Sequence, residues 1–368
     1  MTESKILPLV KKHEEIRENG INLIASENHL SKKVREILAT DLAGRYGSDY
    51  YGGSQYAQQI LERTKELARE LFGVKHALVK PIAGNICDLN ALFSFTQPGE
   101  NIAMLPYDGG GYPLGLKKFN RGRISLPYDD DTYQINIERS EKIYQDNDVS
   151  LTILGSSYIP FPHPVKEFRS FIDKYDSNSN LVFDGSHVLG LIATDQFQDP
   201  LKEGAEVLMG STHKTFYGPQ GGIILTDSDE HAETMSQYLD IDLETGIGLV
   251  DNPHVNRIAA LGIALEEMLE DQDYGQRIVK NSKALAESLD DLGVPMKFKE
   301  RGYTGSHQIF IDEGWDLAGK LCSQLEKQGI FIDRTGRIGT GEVTHRGMVP
   351  EDMEEIAQKI SRVYHDLK

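Results

Sequence analysis

Leu181-Val182-Phe183-Asp184-Gly185-Ser186-His187 and, further on, Val207-Leu208-Met209-Gly210-Ser211-Thr212-His213-Lys214-Thr215 decide the fold. Each opens as a short, uniformly apolar run and ends abruptly in polar residues and glycine. A strand with no polar face is covered on both sides. Working outward, similar runs at 76–79, 102–105, 151–154 and 222–225 predict further strands. Helical periodicity between several of them, as at 165–175, predicts an α/β fold with a mostly parallel sheet. Ahead of these, the pattern predicts an N-terminal helix over 3–19 closed by Gly20, and a second helix over 31–42. A third, over 55–72, carries a stripe of Ile60, Leu67 and Leu71, with Ser54 as N-cap and Gly73 as its stop. Long helices at 255–269 and 274–289 precede a break at Gly293-Val294-Pro295. Strand-like 308–311 and 330–333, with helices at 317–327 and 351–367, then predict a smaller α/β domain. The division read from this pattern is an N-terminal helical arm (1–20), a large domain (21–270) and a small C-terminal domain (271–368).

The 368 residues include 39 Lys+Arg against 57 Asp+Glu, a net charge of −18, so general binding to nucleic acid or to anionic membranes is excluded. No apolar run approaches the ~18 residues of a membrane span. The first dozen residues hold Glu3, Lys5, Lys11 and Lys12 where a signal peptide needs an apolar core. Cys87 and Cys322 lack CxxC partners, which argues for reduced thiols and no metal site. The expectation is a cytoplasmic protein.

In open α/β sheets ligands bind beyond the carboxyl ends of the strands. Three such places stand out: Asp184 to His187, Ser211 to Thr215, and Gly218-Pro219-Gln220-Gly221-Gly222. Alone, an aspartate after a strand is a turn residue and a loop lysine is a solvated charge. Together, at the ends of neighbouring buried strands, they suit one cofactor. Pyridoxal phosphate needs a lysine for a Schiff base and an acid to pair with its ring nitrogen. Lys214 and Asp184 fit those roles, and His187 can support the ring.

At these residues the chain resembles the serine hydroxymethyltransferase family of fold-type-I pyridoxal-phosphate transferases. Leu23-Ile24-Ala25-Ser26-Glu27-Asn28 resembles its LIASEN segment and Tyr50-Tyr51-Gly52-Gly53 its YYGG. The segment from Asp184 to Ala193 and the Thr212-His213-Lys214-Thr215 motif with Gly221-Gly222 resemble its aspartate and lysine motifs. Arg337-Ile338-Gly339-Thr340 with Thr344 and Arg346-Gly347 resembles its C-terminal signature. The resemblance implies a large domain with a seven-stranded-type, mostly parallel sheet between helices. It implies Lys214, Asp184, His187 and Tyr51 as catalytic residues, with Ser157, Thr212 and His213 at the cofactor. Ala83-Gly84-Asn85 stands where the family has its phosphate-cradling SGS, and Tyr112 near its ring-stacking histidine. Arg337 would clamp the amino-acid carboxylate, with Ser26, Ser157 and Tyr51 beside the substrate. A homodimer with shared active sites is implied, Tyr51 reaching across.

The chain departs from the family in places. The longer YAEGYPGxRYYGG run is shortened to Tyr46-Gly47-Ser48-Asp49-Tyr50-Tyr51-Gly52-Gly53, and its acid/base glutamate is gone. Gln220 replaces the arginine of GPRGG, and Asp251-Asn252 stands where a glycine pair is expected. Two reactions stay open on a small amino acid: hydroxymethyl transfer between serine and glycine with tetrahydrofolate, or retro-aldol cleavage of a β-hydroxy amino acid without it. An aminotransferase, or a non-catalytic protein on the same scaffold, are the alternatives.

Overall fold

A computed structural model describes residues 4–175, 179–242 and 244–368. They form two compact units, Asn28–Gln276 and Met1–Glu27 with Arg277–Lys368.

The larger unit holds a seven-stranded sheet: β1 (His76–Leu78), β2 (Asn101–Met104), β3 (Gly122–Ser125), β4 (Leu151–Leu154), β5 (Asn180–Asp184), β6 (Val207–Ser211) and β7 (Gly222–Thr226). Their spatial order is β1-β7-β6-β5-β4-β2-β3. β3, β2, β4, β5 and β6 pair in parallel, and β7 runs antiparallel to both of its neighbours. The 212–221 connection between β6 and β7 contains no helix, and an antiparallel neighbour needs none. Every residue of β4, β6 and β7 is buried. Each Leu or Ile so buried contributes about 1.5–3 kcal/mol, which fixes the strands whose ends carry the polar residues.

β3 escapes the apolar-run reading for a physical reason. It lies at the edge of the sheet, and none of Gly122, Arg123, Ile124 and Ser125 is fully buried. The 55–72 helix forms as Gln55–Phe72, and Gly73 ends it at φ 63°, its amide donating to Arg69 O. Ser54 does not cap it with its side chain: its backbone is already helical, and its Oγ instead accepts from Gln58 Nε2 at 3.0 Å. The buried face runs through Ala57, Leu61, Thr64, Leu67 and Ala68, with Ile60 and Leu71 half-buried at its rim. The 31–42 helix is shorter than expected. It spans Lys32–Leu38, capped by Ser31 Oγ on Val34 N at 3.2 Å, and is followed by a 3-10 turn at Asp41–Gly44.

The other unit begins with the helix Leu7–Asn19; Glu3, where the sequence starts that helix, lies outside the described residues. Ile21–Asn22 pairs in parallel with Ile330–Phe331, and Gln308–Phe310 pairs antiparallel with Arg337–Gly339. Leu285, Leu289, Ile309, Ile338, Ile356 and Ile360 share its core. The unit boundary falls inside the helix Tyr274–Asp291. No helix among the described residues is long and apolar enough to cross a membrane.

Candidate active site

Asp184 is the last residue of β5 and pairs with Met209 of β6, so Asp184 and the 211–214 segment leave the same edge of the sheet. Backbone bonds hold the edge together: Gly185 N donates to Met209 O at 2.7 Å, and Ser211 N donates to Ser186 Oγ at 2.9 Å. Ser186 N donates to Asp184 Oδ1 at 2.9 Å, which orients the carboxylate. Behind it stands Gly155, at φ +94° just after β4, where a Cβ would lie 2.1 Å from Asp184 O. That position admits glycine alone.

Lys214 is positioned through its backbone. Asn28 Nδ2 donates to Lys214 O at 2.6 Å and to Tyr274 Oη at 3.0 Å. Thr215 Oγ1 donates to His187 O at 2.9 Å, tying the lysine loop to the buried His187. Thr212 Oγ1 donates to Pro219 O at 2.6 Å, and Thr212 N to Gly221 O at 3.1 Å, closing the turn that leads into β7. Gly222 N donates to Pro81 O at 2.9 Å. The arginine-replacing Gln220 is exposed.

The helix Gly84–Phe95 packs over β5, β6 and β7. A Cβ on Gly84 would sit 3.1 Å from Ser211 Cβ and 3.4 Å from Ser186 Oγ, so the helix start lies directly on the strand ends. Ala83 is extended and supplies no side-chain cap, which leaves first-turn amides and the positive end of the helix dipole for an anion. Asn85 and Tyr112 meet there, Tyr112 Oη donating to Asn85 Oδ1 at 3.4 Å. Ser157 reaches the same edge from the end of β4, its amide donating to Gly110 O at 2.7 Å.

The charges of these residues act on one another. Burial, and then the Lys214 charge, lower His213 to about 4, so its imidazole is neutral at physiological pH. Burial, followed by the charges of Asp88 and Asp184, raises Tyr112. Asp88, which the sequence reading passed over, is pushed well above the usual carboxylate range by burial and by Asp184, against the pull of Lys214. Ser211 Oγ and His213 Nδ1 are buried without a hydrogen-bond partner among the described residues. A lysine, a carboxylate held at a strand end, an uncapped helix start and two unpaired buried polar atoms fit pyridoxal phosphate.

Tyr51 and Asp49 line a groove of about 790 Å³ with Tyr46, Lys80, Asp251 and Asn252; Asp184 and Lys214 do not line it. The rings of Tyr46 and Tyr51 stack there at 4.6 Å. Arg337 and Ser26 belong to the other unit. Arg337 Nε donates to Asp333 Oδ2 at 2.8 Å. Gly339 N donates to Leu23 O at 2.8 Å, which runs the Ser26 segment along the strand of Arg337.

The serine hydroxymethyltransferase family model matches residues 1–360. This chain belongs to the serine hydroxymethyltransferase family. It is 40% identical over 385 residues to the serine hydroxymethyltransferase of Methanobrevibacter smithii, covering 97% of this chain and 89% of that one. It is 38% identical to that of Methanocella arvoryzae, covering 98% and 90%. Among solved structures it is similar to the L-threonine transaldolase of Pseudomonas fluorescens: 26% identical, TM-score 0.89, covering 99% of this chain and 87% of that one. The fold is that of the fold-type-I pyridoxal-phosphate transferases, and membership of the serine hydroxymethyltransferase family makes the chain a pyridoxal-phosphate-dependent enzyme of the hydroxymethyltransferase and aldolase kind.

Proposed function

We propose that this serine hydroxymethyltransferase family member transfers a hydroxymethyl group between serine and glycine, working at the Cα–Cβ bond. The observation that carries the reading is the pairing of the Asp184 strand end with the Lys214 loop under an uncapped helix start. Pyridoxal phosphate, when bound, supplies an electron sink for charge developing at Cα. Lys214 Nζ would hold it covalently, and the Asp184 carboxylate would keep a proton on its ring nitrogen. The amides of Gly84 and Asn85 would take its phosphate, with the neutral His213 as a hydrogen-bonding neighbour. Thr212, Gly221 and Gly222 shape the turn behind the lysine, and Ser157, His187 and Tyr112 would flank the ring. Arg337 would grip the substrate carboxylate with its planar fork, Ser26 lying on the same unit.

A homodimer accompanies this reading. Tyr50 and Tyr51 are exposed, at 86% and 44%, in a groove that a partner subunit would fill. Tyr51 would then serve the partner's pocket. The free thiols Cys87 and Cys322 support a cytoplasmic location.

The 46–53 segment, which lacks the family glutamate, favours a second reading: folate-independent retro-aldol cleavage of a β-hydroxy amino acid. Product analysis on serine, with and without tetrahydrofolate, and on threonine separates the two. Folate-dependent glycine formation from serine supports transfer. Threonine cleavage indifferent to folate supports the second reading. Turnover of neither overturns both.

A further inference from the structure

The strand Arg337–Gly339 is entered through a turn organised by one carboxylate. Asp333 Oδ1 accepts from Thr335 N at 2.9 Å and from Thr335 Oγ1 at 2.6 Å. Its other oxygen, Oδ2, accepts from Arg337 Nε at 2.8 Å. Gly336 O accepts from Ile311 N at 3.0 Å, and Arg337 pairs in register with Phe310, so the turn is fixed to the neighbouring strand. The Asp333 and Arg337 side chains are 18% and 10% exposed, so little of the solvent that weakens surface ion pairs reaches this one.

A guanidinium is a rigid planar fork on a long stem that loses many rotamers when it is fixed. The fork matches a carboxylate along either of two kinds of edge: the two Nη atoms, or Nε with one Nη. Asp333 takes Nε. A second carboxylate is then directed to the Nη end, in the plane that Asp333 sets. The side chain is ordered on folding instead of on binding, and that preorganisation is what lets a gripping group add affinity. The two oxygens of Asp333 have separate tasks, Oδ1 shaping the turn and Oδ2 holding the arginine.

We propose that Asp333 is a positioning residue for substrate recognition, fixing the Arg337 guanidinium so that it meets the amino-acid carboxylate in one orientation. The proposal rests on the reading of Arg337 as the carboxylate grip. Asp333 acts through Arg337 and not on the substrate or the cofactor. Its loss therefore weakens amino-acid binding and leaves cofactor affinity as it was. A carboxylate held equally before and during the reaction contributes to KM and little to kcat, so the effect falls on KM.

The test is an absorbance titration of the pyridoxal-phosphate-loaded protein with glycine, in wild type, Asp333→Ala, Thr335→Val, Arg337→Met and the double variant of Asp333→Ala with Arg337→Met. Asp333→Ala should bind glycine about ten- to a hundredfold more weakly, the range for one lost hydrogen bond between charged groups, with cofactor affinity within about twofold of wild type. Thr335→Val removes a bond of the turn and spares the arginine, so its glycine affinity should stay within about threefold of wild type. The double variant should bind glycine no more weakly than Arg337→Met alone, because Asp333 has no fork left to position. Wild-type glycine affinity in Asp333→Ala overturns the proposal. So does equal weakening in Thr335→Val, which would make the turn the cause, or a loss in the double variant that adds to that of Arg337→Met. If Asp333→Ala fails to fold by circular dichroism, Asp333→Asn decides: its single acceptor oxygen cannot serve both Thr335 and Arg337, so weakened glycine binding supports the proposal and wild-type binding overturns it. An Arg337→Met protein with wild-type glycine affinity refutes the reading of Arg337 and the proposal with it, whereas a loss in Arg337→Met without one in Asp333→Ala refutes the proposal alone.

Discussion

Replacing Gly155 with alanine tests how the site is built. The new Cβ would stand 2.1 Å from Asp184 O and 2.9 Å from Asp184 C. Ordinary carbon–oxygen contact begins more than 3 Å apart, so one backbone must retreat by about 1 Å. The φ of +94° adds backbone strain of about 1–3 kcal/mol for a residue with a side chain. Strain and overlap together predict a loss of at least about 3 kcal/mol of stability. The displaced group is the backbone of the residue that would hold the ring-nitrogen proton. A shift of that size at a catalytic group can cost about a hundredfold in rate. Gly319→Ala is the control, because nothing lies within 4 Å of its Cβ in the helix Trp315–Glu326. That change should stabilise by about 0.5–1 kcal/mol. Equilibrium urea unfolding and cofactor titration on both variants provide the assay. A Gly155→Ala protein that unfolds at the wild-type urea concentration with wild-type cofactor affinity would refute the reasoning.

Two further outcomes follow from the same geometry. His163 Nδ1 accepts from Ile135 N at 3.3 Å, so a second ring proton would face an N–H, and burial lowers the group to about 4. The unfolded chain takes up that proton near 6.5, so stability should be full above pH 6.5 and fall as pH drops toward 4, by about 3 kcal/mol for this residue; urea unfolding of His163→Gln should show a flatter acid limb, and an identical limb would remove His163 as the cause. Arg337→Lys keeps the charge and loses the fork, so the KM for the amino acid should rise about ten- to a hundredfold with cofactor content unchanged; an unchanged KM would remove Arg337 from the carboxylate site.

Much of the site was legible because buried strands announce themselves. Leu181, Val182 and Phe183 before Asp184, and Val207, Leu208 and Met209 before the lysine loop, are apolar on both faces, so the polar residues after them mark the sheet edge. β3 stayed hidden because an edge strand carries Arg123 and Ser125 without an apolar run. Asp88 stayed hidden because a polar residue inside a helix reads as a surface position; only the packing of that helix on β5 and β6 buries it. The pairing of Ile21–Asn22 with Ile330–Phe331 joins positions far apart in the chain, and two-residue strands leave no period to read. Asn28 lay within a recognised motif, yet its bond to the Lys214 carbonyl depends on tertiary structure.

The account rests on Lys214 as the residue that holds pyridoxal phosphate. The direct measurement is borohydride reduction of the cofactor-loaded protein, followed by peptide mass mapping. A single phosphopyridoxyl adduct on Lys214, lost together with the yellow colour in Lys214→Ala, is the predicted result. An adduct on another lysine, or a colourless protein with no adduct at all, would contradict it.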